Sequence, residues 1–211
     1  MPNHCSNKLG VYGDTAKLSE FVATVTCTEA ERKESKETYS ILEKTLPCPE
    51  ELRNVDANST KRPTMLKKYG ASDWYEWCND NWGTKWGDYD TRLEDFEPGE
   101  DDAVFFTYTT AWGPATQGLL NLSKLYPDLL FANLFEESGM AIMGGTVHKN
   151  GIELDRVERE YPALMDADST DDDSYELYQD KVLEEMDSMG LELYQSVVAN
   201  VSRQELDPSR N

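Results

Sequence analysis

The sequence of 211 residues predicts an α+β fold, in which helices pack on an antiparallel sheet and an acidic helical extension follows. Three observations predict it. Val104, Phe106, Tyr108, Thr110 and Trp112 alternate with Phe105, Thr107, Thr109 and Ala111, the period of two of a strand with two apolar or β-branched faces. Segments with apolar residues three and four apart stand before and after that run, the period of amphipathic helices. Composition then shifts: residues 158–211 hold 15 acids against four bases, −11 of a formal net charge of −21.

In chain order, residues 7–13 predict a short strand ending at Gly13-Asp14. Asp14 is placed to cap a helix, because its carboxylate accepts an orphan N–H of the first turn. Leu18, Phe21, Val22 and Val25 form the buried face of that helix. Residues 28–38 are charged and polar and predict a loop or an extended helix end. Tyr39–Leu46 predicts a short element closed by Pro47-Cys48-Pro49, since each proline pushes its predecessor out of the helical region. Residues 53–70 are polar and predict a long inserted loop. Trp74, Trp77, Cys78 and Trp82 then share one side of a helix that Gly83 stops. The acidic loop of residues 94–102 leads into the strand of 103–112. Gly113-Pro114 opens a helix with Pro at its first position, with Leu119, Leu122 and Tyr126 facing inward and Pro127 ending it. A strand over 129–136 follows, then a hairpin of 140–147 and 152–157 with Asn150-Gly151 as its type I′ turn. Two strand–helix–strand units in antiparallel relation predict a ferredoxin-like sheet over residues 1–160.

Residues 161–211 predict the extension. Asp173 with Glu176 resembles a capping box. Tyr178, Val182, Met186, Met189, Leu193, Val197 and Val201 recur every three or four residues, so one helical stripe needs a surface to cover it. Its own domain, a second copy of the chain and a foreign partner all satisfy that need, and a bend is expected at Gly190.

Charge and composition exclude several functions. With 41 acids against 20 bases, duplex DNA and anionic membranes meet a repulsive field. The basic group Lys61, Arg62, Lys67 and Lys68 falls in the predicted loop and carries no recognition motif, so it reads as solvated surface. No run of 18 apolar residues is present, and the polar start Met1-Pro2-Asn3-His4 lacks the pattern of a signal peptide. Four cysteines make no disulfide framework, which places the protein in the cytoplasm with reduced thiols.

Four segments resemble one family. They are Met1 to Asn7 with the later Pro47-Cys48-Pro49-Glu50-Glu51-Leu52, the box Trp82-Gly83-Thr84-Lys85-Trp86, Thr110-Ala111-Trp112-Gly113-Pro114, and Glu136-Glu137-Ser138-Gly139-Met140 through Gly144-Gly145. In this order over residues 1–157 they resemble the YubB ferredoxin-like proteins of plasmids and phages. The resemblance implies a ferredoxin-like fold and a mobile-element origin. It implies no reaction and carries no catalytic residue. The polar stretch near 53–70 and the acidic tail depart from the family's pattern.

The chemistry of the residues is sparse. Two histidines, His4 and His148, and cysteines at 5, 27, 48 and 78 supply no close ligand pair, so neither metal nor cofactor is expected. Cys78 lacks a histidine at any telling spacing and reads as a core thiol. Glu136-Glu137 is the nearest approach to a catalytic carboxylate pair. Gly144-Gly145 has no phosphate-loop context and reads as close packing.

The expectation that remains is a non-enzymatic protein that binds a basic host protein through acidic surface, as a counter-defence factor or nucleic-acid mimic. The binding residues are Glu94, Asp95, Glu97, Glu100, Asp101 and Asp102 of the acidic loop. Asp171, Asp172, Asp173, Asp180, Glu184 and Asp187 of the extension join them, with Trp86 as the exposed aromatic. Self-association through the C-terminal helix is a further possibility. Two alternatives stay open: a metal-dependent phosphodiesterase built on clustered carboxylates, and a module sequestering a small ligand near Trp82, Trp86 and Trp112.

Overall fold

A computed structural model describes residues 3–56, 58–162 and 172–205, with the side chains of the last stretch described over 178–200. Six antiparallel strands form one sheet in the order β2-β3-β1-β4-β5-β6. They are β1 (His4–Tyr12), β2 (Tyr89–Leu93), β3 (Ala103–Ala111), β4 (Leu130–Glu137), β5 (Ile142–Lys149) and β6 (Ile152–Glu160). With α1 (Thr15–Val25) after β1 and α7 (Thr116–Leu125) after β3, the first four strands make a βαββαβ unit ordered 4-1-3-2. That is the ferredoxin-like arrangement the sequence predicts, and the β5–β6 hairpin widens it.

Most boundaries hold, and several differ for physical reasons. β1 begins three residues earlier than predicted and pairs along its whole length with β3, His4 opposite Ala111 through Tyr12 opposite Ala103. Asp14 caps α1, accepting from the N–H groups of Ala16 at 2.9 Å and Lys17 at 3.3 Å. The predicted loop or helix end at 28–38 holds a helix of its own, α2 (Glu29–Ser35), started by the reciprocal capping box of Thr28 and Glu31. Short turns α3 (Leu42–Thr45) and α4 (Glu50–Arg53) follow.

The predicted inserted loop at 53–70 is corrected to a helix, α5 (Arg62–Tyr69), with Pro63 in its first turn and Gly70 closing it at φ 75°. Two of its three cations are engaged: Arg62 pairs with Asp73, and Lys68 with Glu51 at 2.7 Å. The helix α6 (Trp74–Trp82) ends at Gly83 in the left-handed conformation, φ 78°, as its sequence requires. α7 starts at Thr116, two residues after Pro114, so that proline precedes the helix instead of opening it. The turn Asn150-Gly151 has φ values of 48° and 73°, the type I′ geometry.

Three apolar clusters organise the chain. One lies between the sheet and helices α1 and α7, around Phe21, Phe106 and Phe131. A second holds the excursion α3–α6 together around Trp77, Trp82 and Cys78. The third joins the opposite sheet face to α8 (Asp172–Glu205), where Met189, Leu193 and Val197 meet Leu130, Met143 and Val147. From Tyr178 to Val197 the helical stripe of the extension is therefore covered by its own domain, and the Val201 side chain lies outside the described residues. Gly145 and Gly190 permit that approach. A Cβ on Gly145 would stand 2.2 Å from Leu193 Cδ1, and one on Gly190 3.2 Å from Leu134 Cδ1.

A buried polar network threads the α1/α7 face. Asn7 donates to Thr110 Oγ1 at 3.0 Å, Asn133 donates to Asn7 Oδ1 at 3.1 Å, and Tyr108 donates to Asn133 Oδ1 at 3.0 Å. His148 lies on the same face, in register with Phe131 and fully buried. Neither of its ring nitrogens meets a hydrogen-bond partner among the described residues. Burial lowers its pKa to about 4, with Arg156 acting in the same direction and Glu153 opposing both.

The neutral ring is thus the folded form, whereas the unfolded chain binds a proton below about pH 6.5. The stability that His148 contributes is whole above that pH and is lost as pH falls toward 4. The loss amounts to about 3 kcal/mol. His148→Leu should flatten the fall in urea midpoint between these pH values relative to the parent. An identical pH profile in the two proteins would remove His148 from the acid response.

Candidate functional site

α8 crosses one face of the sheet over β4, β5 and β6 and leaves β1, β3 and β2 uncovered on that face. A groove runs along the boundary. Its wider part, a cavity of about 580 Å³, has Ser6, Lys8, Glu136 and Ser138 on the sheet side and Val182, Leu183, Met186 and Asp187 on the helix side. Its narrower part, about 370 Å³, shares Lys8 and continues past Gly10, Tyr12, Phe105 and Glu94 to Gly190 and Tyr194.

Alternation builds the floor. His4, Ser6, Lys8, Gly10 and Tyr12 are the β1 residues on the face away from α1 and α7, and the last four line the groove. Tyr12 stands edge-on to Phe105, ring centres 5.8 Å apart, and its ring passes over Gly10, where a Cβ would come within 2.8 Å. At the wide end Tyr161 donates to Glu136 Oε2 at 2.8 Å and lies against Tyr178, ring centres 6.3 Å apart. Burial first, then the bonds to Glu136 and Tyr178, raise the Tyr161 pKa far above the ordinary phenol value. Tyr161 therefore stays protonated and serves the groove as a hydrogen-bond donor.

The two flanks of α8 differ. On one flank Arg159 of β6 pairs with Glu192 and lies 3.9 Å from Glu185. On the groove flank Leu183 and Tyr194 line the groove and are exposed, 59% and 55% of their surface. Exposed Asp187 lines it with them, and Asp180 and Glu184 are exposed elsewhere on the same helix.

The predicted binding acids divide accordingly. Glu94, Asp95, Glu97, Glu100 and Asp102 are exposed on the β2–β3 connection, and half-buried Asp101 accepts the Glu97 N–H at 2.8 Å. Glu94 lines the groove, and Asp102 acts on Tyr12 together with Tyr194, so the acidic loop and the helix rim face each other across it. Asp172 and Asp173 begin α8, with side chains outside the described residues, and Asp171 lies outside them altogether.

Trp86 is not brought to this surface. It is half-buried beneath Lys85, whose Nζ sits 4.6 Å from the ring centre, and it borders a separate cavity of about 320 Å³ with Trp74, Cys78, Trp82, Glu43 and Arg53. Trp112, 45% exposed at φ 74°, does not line that cavity. All four cysteines are buried and unbridged, and burial pushes the Cys5 thiol up to about 12. No three His, Cys, Asp or Glu side chains converge as a metal-binding group among the described residues. No described helix is long and apolar enough to cross a membrane.

No family model matches this sequence, and no curated protein matches it. The resemblance carried by the sequence motifs thus stands without a family-model match. Among solved structures, the chain is similar to protein api92 from Yersinia pseudotuberculosis, assigned to the family model DUF1281. The TM-score is 0.45 and the identity 8%, over 77% of this chain and 99% of that one. A likeness of that degree transfers neither site residues nor activity.

Proposed function

We propose that this chain is a non-enzymatic accessory protein of a phage or plasmid that engages a basic host protein through its acidic surface. The observation that carries the reading is the placement of two acid-bearing segments, the 94–102 connection through Glu94 and α8 through Asp187, along one groove whose narrow part is floored by Tyr12 and Phe105. Acids on both rims steer a cationic surface toward apolar contacts that then hold it. The mobile-element origin rests on the motif resemblance alone. A second reading, capture of a small ligand, is favoured by the cavity under Trp74, Trp82 and Trp86.

Removing the tail would confound binding with stability, because α8 completes the third apolar cluster. The test is therefore the triple variant Asp95→Asn, Glu97→Gln, Glu100→Gln, all exposed positions. Host proteins captured by the full chain should be basic. Their affinity in titration should fall steeply between roughly 0.05 and 0.5 M salt, as screening shortens to a few ångströms. The triple variant should bind several-fold more weakly with an unchanged melting temperature. Indifference to salt and to the variant would remove the acidic surface from the function, and a shift in melting temperature with a neutral aromatic ligand would favour the Trp cavity instead.

A further inference from the structure

We infer that the uncovered half of the sheet seats a basic amphipathic helix of the partner protein, laid alongside α8. The inference rests on the function proposed above and adds the occupant and its place.

Width comes first. Of six strands, α8 covers β4, β5 and β6, and β1, β3 and β2 remain. Adjacent strands lie about 4.8 Å apart, so the open face spans about 10 Å between its outer strands. One α-helix with its side chains is about 10–12 Å across. The face that already holds one helix has room for one more beside it. Length agrees: the groove follows α8 from Tyr178 to Tyr194. At 1.5 Å per residue that is about 24 Å, the length of a helix of four to five turns.

Chemistry selects the kind of helix. The groove flank of α8 exposes Leu183 and Tyr194, whereas the other flank is tied to Arg159. Phe105, 40% exposed, and half-buried Tyr12 continue the apolar surface on the floor. A partner with apolar residues three and four apart would meet both surfaces at once. Its flanks would face Glu94 and Asp102 on one rim and Asp187 on the other, with Glu136 at the wide end. Lys8 and Arg92 are opposing cations on this half of the face, too few to balance four acids. Lysine or arginine on the partner's flanks satisfies the rims. A second copy of α8 would instead set Asp187 against itself, which costs free energy at close range.

The experiment uses the full chain and two synthetic peptides of about 18 residues. One places Leu and Lys with helical periodicity; the other has the same composition scrambled. Calorimetric titration should give at least roughly tenfold tighter binding for the helical-period peptide. Amide shift changes should map to Lys8, Gly10, Thr107, Leu183 and Gly190. Leu183→Ser with Tyr194→Ser, both exposed, should weaken that peptide roughly tenfold. Leu154→Ser on the outer strand β6 should leave it unchanged.

Equal binding of both peptides, indifferent to Leu183→Ser and Tyr194→Ser, would overturn the groove while leaving the acidic-surface reading in place. Binding of neither peptide would overturn both. A dimer of the full chain in sedimentation that Leu183→Ser dissolves would overturn the occupant, since the groove would then be an interface between copies.

Discussion

Trp82→Ala should lower the urea stability of this protein by about 3–5 kcal/mol, the cost of emptying a site built around a buried aromatic. For a chain of this size that is a fall of roughly 10–15 °C in melting temperature. Trp82 is 2% exposed, packs edge-on against Trp77 with ring centres 5.4 Å apart, and donates its indole N–H to the Leu46 carbonyl at 2.9 Å. The truncation removes the ring and leaves that carbonyl without its donor. Trp86→Ala, at a half-buried ring on the cavity wall, should cost about 1 kcal/mol or less. Unfolding profiles of the two variants separate the readings of this tryptophan box. A Trp82→Ala protein that melts with the parent but loses a bound aromatic ligand would make the box a binding platform. The expected order, Trp82 costly and Trp86 cheap, makes it a core.

What the sequence made legible follows from how each element keeps its residues. β3 alternates without interruption, and its burial pattern does the same from Ala103 to Thr110. Asp14 and Asn150-Gly151 act on their own neighbours, so their roles are read from a few residues of chain. Helix α2 was equally readable from Thr28 and Glu31, since a capping box needs no apolar face; α2 buries no residue and shows no periodicity. α5 buries only Met65, so its apolar signal is absent although Pro63 and Gly70 mark its ends. β2 is five residues long with an irregular register against β3, too short and broken to alternate.

The groove had no local signal. It arises where residues 6–12, 136–138 and 182–194 meet, and only the tertiary pairing of β1 with β4 brings them together. The acids were visible as runs, but that two runs face each other depends on α8 crossing β4–β6. The polar network of Asn7, Tyr108, Thr110 and Asn133 was hidden for the same reason. They sit at inward positions of three strands, Asn7 on β1, Tyr108 and Thr110 on β3 and Asn133 on β4, and only the sheet order makes them neighbours.

Asp88→Ala should be as damaging as the loss of Trp82, about 3–5 kcal/mol, through polar groups instead of volume. The Asp88 carboxylate is 8% exposed and accepts three bonds: Ile41 N–H at 2.8 Å, Leu42 N–H at 2.7 Å and the Thr91 hydroxyl at 2.7 Å. It serves as the missing cap of α3, whose own N-terminal residue, Ile41, supplies no side-chain bond. The reverse tie comes from Glu37, which accepts from Asp90 N–H at 3.1 Å and Thr91 N–H at 3.2 Å. These two carboxylates fasten the start of β2 to the helical excursion. Alanine at 88 strands two buried N–H groups, each costing about 1–3 kcal/mol. Asp88→Asn keeps one acceptor oxygen and should recover part of that loss. Glu37→Gln, at a half-buried position where one acceptor oxygen is kept, should cost about 1 kcal/mol. Hydrogen exchange at Ile41 and Leu42 locates the effect, because these amides should lose protection in Asp88→Ala before the sheet does. The consequence reaches the groove, since β2 leads directly to Glu94 on its rim. Asp88→Ala should therefore weaken binding of a basic partner below its unfolding transition. Full protection of the two amides, or parental affinity in that variant, would show that β2 is positioned by its pairing with β3 alone.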